Sequence, residues 1–214
     1  MVLYCVTAES LNVREIPSGK IIGQLKQDDL VVSSENVNDD GWLPIELNGG
    51  QKRFIFHNYV TQLQKEYPTW LEIACKELWV KEYAGNPANP RIVEYLHTTS
   101  LDDSDAHSDE TSWCSAFVNW CMKTSGLTNT HKANARSWLD WGINLAQPKL
   151  GCVVVFARGT DGWSGHVGFY VGETHTHIKV FGGNQGDQVN ISLYPKDGEN
   201  HGTKYKLLGY RWNK

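Results

Sequence analysis

No run of apolar residues in the 214-residue chain approaches the ~18 needed for a membrane-spanning helix. Basic residues are not in excess: 20 Lys and Arg stand against 24 Asp and Glu, a formal charge of −4. A nucleic-acid binder driven by phosphate contacts is normally basic, so that class is demoted. Attraction to an anionic polymer would need a local site instead. C-x-x-C pairs are missing, which argues against a zinc ribbon and a thioredoxin-like centre. Cysteine is odd in number, at 5, so at least one thiol lacks a disulfide partner. A chain of this length buries a core without a disulfide framework, and most of its cysteines default to small core hydrophobes. Repeats and low-complexity segments are also missing. The start, Met1-Val2-Leu3-Tyr4-Cys5-Val6, has no basic region and no long apolar segment. The expectation is therefore a mature form, a cytoplasmic protein, or one exported by a special route. A composition of 40% hydrophobic and 21% charged residues excludes disordered, collagen-like and coiled-coil chains.

Residues 1–62 carry short β-rich runs: Leu3–Val6, Leu11–Arg14, Ile21–Leu25, Leu30–Ser34, Trp42–Glu46 and Arg53–Phe56. They are separated by the turn signals Pro17-Ser18-Gly19, Asp28-Asp29, Asn38–Gly41 and Asn48-Gly49-Gly50. Strands this short and close share a core as a small barrel. Residues 63–69 read as a polar linker. From Trp70 the period changes, with Leu71, Ala74, Cys75 and Leu78 at helical spacing. Asn86–Pro90 breaks the chain. Short helices are expected at Ile92–Leu96, Trp113–Ser125 and Ala133–Asn144. Strands follow at Cys152–Ala157, His166–Glu173, His177–Gly182, Val189–Tyr194 and Leu207–Arg211. Helices first and antiparallel strands second make an α+β domain over 70–214.

Cys114 is the chemically suggestive residue. It stands in the first turn of an expected helix that Thr111 or Ser112 can cap. The free N–H groups and partial positive charge of that helix start favour a thiolate and offer donors to an oxyanion. The alternative is a buried core cysteine, which is the reading adopted for Cys121. His166 opens a strand after the glycine-rich loop 159–165, and a thiol on a helix followed by a histidine on a strand is the order of a nucleophile and its base. If Thr174-His175-Thr176 is the hairpin loop, paired numbers sum to 350 and His166 faces Asn184. Asn184 then orients the imidazole, with Gln185 the fallback on the opposite face. The competing reading of Asn184 is a plain turn residue.

Two resemblances bear on these residues. The order L-N-V-R, P-S-G-K-I-I-G-Q-L-K, D-G-W-L-P-I and F-I-F-H-N-Y-V over residues 1–62 resembles a bacterial SH3-like domain, which implies binding to cell-wall peptide or a partner protein. W-C-S-A-F-V-N-W, A-R-S-W-L-D-W-G, G-x-V-V-V-F, G-H-V-G-F-Y-V-G and G-G-N-Q resemble the NlpC-type and CHAP-type cysteine peptidases and amidases of bacterial cell walls. That resemblance implies a papain-like core cleaving amide bonds of peptidoglycan stems, with Cys114 as nucleophile, His166 as base and Asn184 as third polar group. Trp113 and Ala116 depart from the common D-C-S-G pattern, and Asn184 stands where a histidine is often found.

The partner implied is peptidoglycan, reached through a holin pore or a contractile secretion machine, with an immunity protein left open. Binding to nucleic acid is not expected. The alternative is a non-catalytic wall-binding or phage structural protein. His175-Thr176-His177 is a weak metal signal, and Cys152 with His166 completes no four-ligand set, so no metal or cofactor is expected. Trp138 and Trp141 are read as core. Asp102, Asp103, Asp105, Asp109 and Glu110 are read as a solvated loop bordering the substrate cleft.

Overall fold

The computed structural model describes residues 1–64, 66–85 and 87–214. Lys65 of the expected linker and Asn86 of the Asn86–Pro90 break lie outside the described residues. None of the helices described is long and apolar enough to cross a membrane. The chain divides into two compact units, Met1–Glu66 with Glu72–Val80, and Tyr67–Leu71 with Lys81–Lys214.

The first unit is mostly β, with a 3-10 turn at His57–Tyr59 and a helical segment from Glu72. Its strands are β1 (Val2–Val6), β2 (Ser10–Arg14), β3 (Ile21–Lys26), β4 (Leu30–Ser33), β5 (Trp42–Leu47), β6 (Gln51–Phe56) and β7 (Val60–Gln62). They pair in the order β3-β2-β6-β5-β4-β1-β7. Leu3, Val13, Leu25, Val31, Leu43, Ile45 and Ile55 are buried along the strands and supply the unit's core. The β5–β6 hairpin runs from Trp42↔Phe56 to Leu47↔Gln51 and turns through Asn48, Gly49 and Gly50, all at positive φ.

The helix expected from Trp70 exists as α1 (Thr69–Lys76). The boundary drawn at residue 70 differs from the structural division, because Glu72–Val80 cluster with the first unit. The reason lies in that hairpin. The Asn48 N–H donates to Leu78 O at 2.8 Å and the Gly49 N–H to Lys76 O at 3.1 Å. Lys76 pairs with Glu46 at 2.9 Å. The Trp79 ring lies on Gly23, where an added Cβ would approach it to 2.6 Å.

The second unit is α+β. Its helices are α2 (Pro90–Leu96), α3 (Asp103–Ala106) and α4 (Cys114–Thr124), followed by a 3-10 turn at Ala135–Asp140. Proline at the start of α2 and the Asn89 side chain accepting the Arg91 N–H explain where that helix begins. Then come β8 (Ile143–Leu145), β9 (Val153–Arg158), β10 (Gly165–Glu173), β11 (His177–Gly182), β12 (Asn190–Pro195), β13 (Asp197–Asn200) and β14 (Thr203–Trp212). The sheet order is β12-β11-β10-β9-β14-β13, with β8 on β14. Phe117 of α4 meets Phe169 of β10 at 6.3 Å between ring centroids, which seats the helix on the sheet. Val154, Phe156, Ile178, Val180, Tyr194, Tyr205 and Tyr210 join in one buried cluster.

Candidate active site

Cys114 begins α4, as its sequence position suggests, but neither Thr111 nor Ser112 caps the helix. Trp113 is the N-cap and makes no side-chain cap bond. The helix start is held by packing instead. Trp113 is fully buried and its Nε1–H donates to Glu82 Oε1 at 2.6 Å. Gly183 lies under it, because an added Cβ would stand 2.4 Å from the Trp113 ring and 2.8 Å from Phe117. On the other side, the Ser115 hydroxyl donates to Lys132 O at 2.7 Å and accepts from Trp138 Nε1 at 3.0 Å. Asn119 Oδ1 accepts the His131 N–H at 2.9 Å. Trp138 and Trp141 are buried, as read from sequence. Cys121 and Cys152 are fully buried core residues too.

Cys114 is 5% exposed. Burial pushes its thiol above the usual range, and this outweighs stabilisation of the thiolate by the backbone N–H groups of Val167 and Ser115, the Ser112 hydroxyl and the Arg158 charge. Burial thus opposes the thiolate that the helix start was expected to favour. The Val167 contact brings the thiol to the residue beside His166.

His166 pairs with Phe156 across β9–β10 and is 5% exposed. Its ring stacks on Tyr194 at 4.6 Å and 25°. Burial, with the nearby Arg158 charge, pushes the imidazole from 6.5 down to about 4, although the Gln185 bond favours protonation. His166 Nε2 lies 3.0 Å from Gln185 Oε1. The Gln185 amide nitrogen is committed to Asn190 O at 2.7 Å, Asn190 Oδ1 at 3.0 Å and Val180 O at 3.2 Å. Its oxygen therefore faces the ring and only accepts. The neutral imidazole carries its proton on Nε2, leaving a lone pair on Nδ1.

Asn184 does not take the expected place. The pairing sum of 350 holds at Phe169↔Phe181 and Tyr170↔Val180, but a bulge between Tyr170 and Gly172 shifts Glu173 onto Ile178. The sum of 350 does not extend to Asn184, because β11 ends at Gly182. Asn184 then adopts φ +55°, the ladder is left behind, and the next side chain, Gln185, swings inward and is 4% exposed. Asn184 lines the cavity holding His166 without bonding the ring in place of Gln185. Gln185, the fallback, is the residue within hydrogen-bond distance of the His166 ring.

Arg158 was not singled out from sequence. It ends β9 and lines both a cavity of about 590 Å³ containing His166, Gln185 and Tyr205 and one of about 710 Å³ containing Cys114, Ser112 and Asn134. Thr203 is shared as well, so the thiol and imidazole sides flank one cation. At the rim of the Cys114 cavity stands Trp163, 67% exposed. Its loop is set by Asp161 Oδ1, which accepts the N–H of Trp163 at 2.9 Å and of Ser164 at 2.7 Å, and by Arg136 Nε donating to Ser164 O at 2.8 Å. The acidic segment is more than a solvated face. Asp105 lines the Cys114 cavity, and Asp109 is buried, accepting the N–H of Asn89 at 2.8 Å and of Tyr83 at 3.1 Å.

Residues 106–184 match the family model of the CHAP domain, a cysteine-peptidase domain, and the match supports hydrolase activity. It includes Cys114 and His166 and ends one residue before Gln185. A solved NlpC/P60 family protein from Bacillus cereus ATCC 10987 aligns over 99% of this chain at 15% identity with a TM-score of 0.39. A likeness that low carries no statement about this chain, which spans 63% of that structure's length. Nothing among curated proteins matches.

Proposed function

We propose that the second unit hydrolyses an amide bond in the peptide stem of bacterial peptidoglycan, with Cys114 as nucleophile, His166 as base and Gln185 as the residue that orients the base. The observation that carries the reading is the buried His166–Gln185 bond beside a strand whose Val167 N–H meets the Cys114 thiol. Both groups start neutral. His166 Nδ1 takes the thiol proton as sulfur attacks the substrate carbonyl carbon, so no thiolate need exist beforehand. N–H groups in the first turn of α4, which have no partner within the helix, donate to the developing oxyanion. The imidazolium returns the proton to the leaving nitrogen, the C–N bond breaks, and an acyl thioester remains. Water attacks that thioester, gives its proton to His166 and releases the acid, and the thiolate recovers a proton from the imidazolium.

Stem peptides carry carboxylates, and Arg158 offers the local cation that a chain of charge −4 needs to hold them. The exposed Trp163 gives an apolar face at the same rim. The first unit, with its SH3-like sequence order, is proposed as the wall-attachment module. Digestion of purified sacculi tests the activity. Release of new amino groups without new reducing sugar ends is expected. Reducing ends alone would mark a glycosidase and reject the reading.

A further inference from the structure

The segment between α2 and α4 holds a second cluster of chemically potent side chains, which includes neither the thiol nor its base. His97 follows the last turn of α2, Asp103 opens α3 and His107 closes it. Each offers a donor atom, and the three donors lie within 4.8 Å of one another. The two imidazoles meet edge to face, with centroids 4.7 Å apart.

The rings are held in a particular way. His97 Nδ1 lies 2.8 Å from Val93 O, and His107 Nδ1 lies 2.6 Å from Asp103 O. A carbonyl oxygen only accepts, so each Nδ1 carries the proton and each Nε2 keeps its lone pair. Fixing the tautomer and orientation of an imidazole through its other nitrogen is what a metal-ligating histidine requires. Asp103 Oδ1 is 3.5 Å from His107 Nδ1, so a carboxylate stands beside the same ring.

We propose that His97, Asp103 and His107 form a binding site for a divalent transition-metal ion of the zinc class, with water completing the coordination. Two imidazoles and one carboxylate suit zinc, nickel or copper better than calcium or magnesium, which prefer all-oxygen shells. Ligands of a tetrahedral zinc stand roughly 3.3 Å apart at metal–ligand bonds near 2 Å. All three side chains are exposed, and metal binding would draw their donors together to that spacing.

The consequence reaches the cleft through α3. Asp105, in the same short helix, lines the cavity that contains Cys114. A metal bridging His97 to Asp103 and His107 ties α3 to the end of α2 and fixes that lip. The metal takes no part in the hydrolytic steps. Its effect on turnover rests on the hydrolase reading, whereas its binding does not.

Calorimetric titration of the EDTA-stripped, dialysed full chain with zinc chloride tests the site, in a Cys114→Ala background so that thiol binding does not compete. One equivalent of zinc should bind, and His97→Ala and His107→Ala should each weaken binding about tenfold or more. His177→Ala, at the hairpin tip, should leave it unchanged. Circular dichroism confirms that these surface variants remain folded. Cobalt(II) gives an independent readout, with visible absorption in the parent that both histidine variants lose. The proposal is overturned if the parent takes up no zinc, or if the affinity is the same with His97 and His107 removed. Neither result bears on whether the second unit cleaves amides.

Discussion

At the level of single side chains, the neutrality of the resting pair governs what can be measured. His166 is depressed to about 4, so its base form persists well below pH 6.5. The acid limb of kcat/KM should therefore lie near pH 4 to 5, and an inflection near 6.5 would contradict the buried ring. Arg158→Gln removes a cation that disfavours the imidazolium. It should move that limb upward and raise KM more for stems with free carboxylates than for amidated ones. Equal KM values for both substrates would dismiss Arg158 as an anion contact. Linkage gives a stability counterpart. Above pH 6.5 His166 is neutral folded and unfolded, and it contributes nothing. As pH falls from 6.5 to about 4 only the unfolded chain takes the proton, so stability drops by up to about 3 kcal/mol. His166→Gln should lose less stability over that window than the wild type, as read by urea unfolding at pH 7 and pH 4.5. Gln185→Ala should lower kcat by more than Asn184→Ala, and the reverse order would restore Asn184 to the orienting role. Cys114 and His166 were legible because helix start and strand start are written in local spacing. Gln185 was misplaced because the end of β11 at Gly182 and the positive φ of Asn184 are backbone events that pairing arithmetic does not contain. The upward push on the Cys114 thiol was not legible for a similar reason: burial is a tertiary property.

The elements around the site act as a clamp on these few groups. Gly183 is the tightest point, where the chain leaving β11 passes under Trp113 and Phe117. Gly183→Ala would force the helix start off the sheet, and overpacking of this kind costs about 1–3 kcal/mol. A lowered Tm with a loss of kcat is expected, and an unchanged Tm would show that Trp113 moves aside freely. Strands β9, β10, β11, β12 and β14 follow their β-rich runs, because hydrophobic alternation and glycine-bounded ends specify them, whereas β8 and β13 were not expected from sequence. α3 was read as loop, since three polar residues and one alanine capped by Asp102 carry no apolar period. The expected helix over 133–144 is a 3-10 turn from Ala135 to Asp140, ended where Trp141 turns extended.

Across the whole molecule, α1 carries the lesson about domain limits. Its apolar period is visible in sequence, but not which neighbour each face serves, and Glu72–Val80 cluster with the β5–β6 hairpin's unit. A fragment of residues 70–214 retains Cys75, Leu78 and Val80 without the strands they group with. It should bind more of a hydrophobic dye than the full chain, and equal dye binding would return the boundary to residue 70. The central claim, that the Cys114 thiol opens an amide of the wall peptide, is tested most directly by mass spectrometry of muropeptides after digestion of sacculi. Wild-type protein should yield fragments heavier by one water in total than their parent, with a new stem-peptide terminus. Cys114→Ala, folded to the same extent, should yield none. Stem cleavage by Cys114→Ala at the wild-type rate, or wild-type products cut only between sugars, would contradict the account.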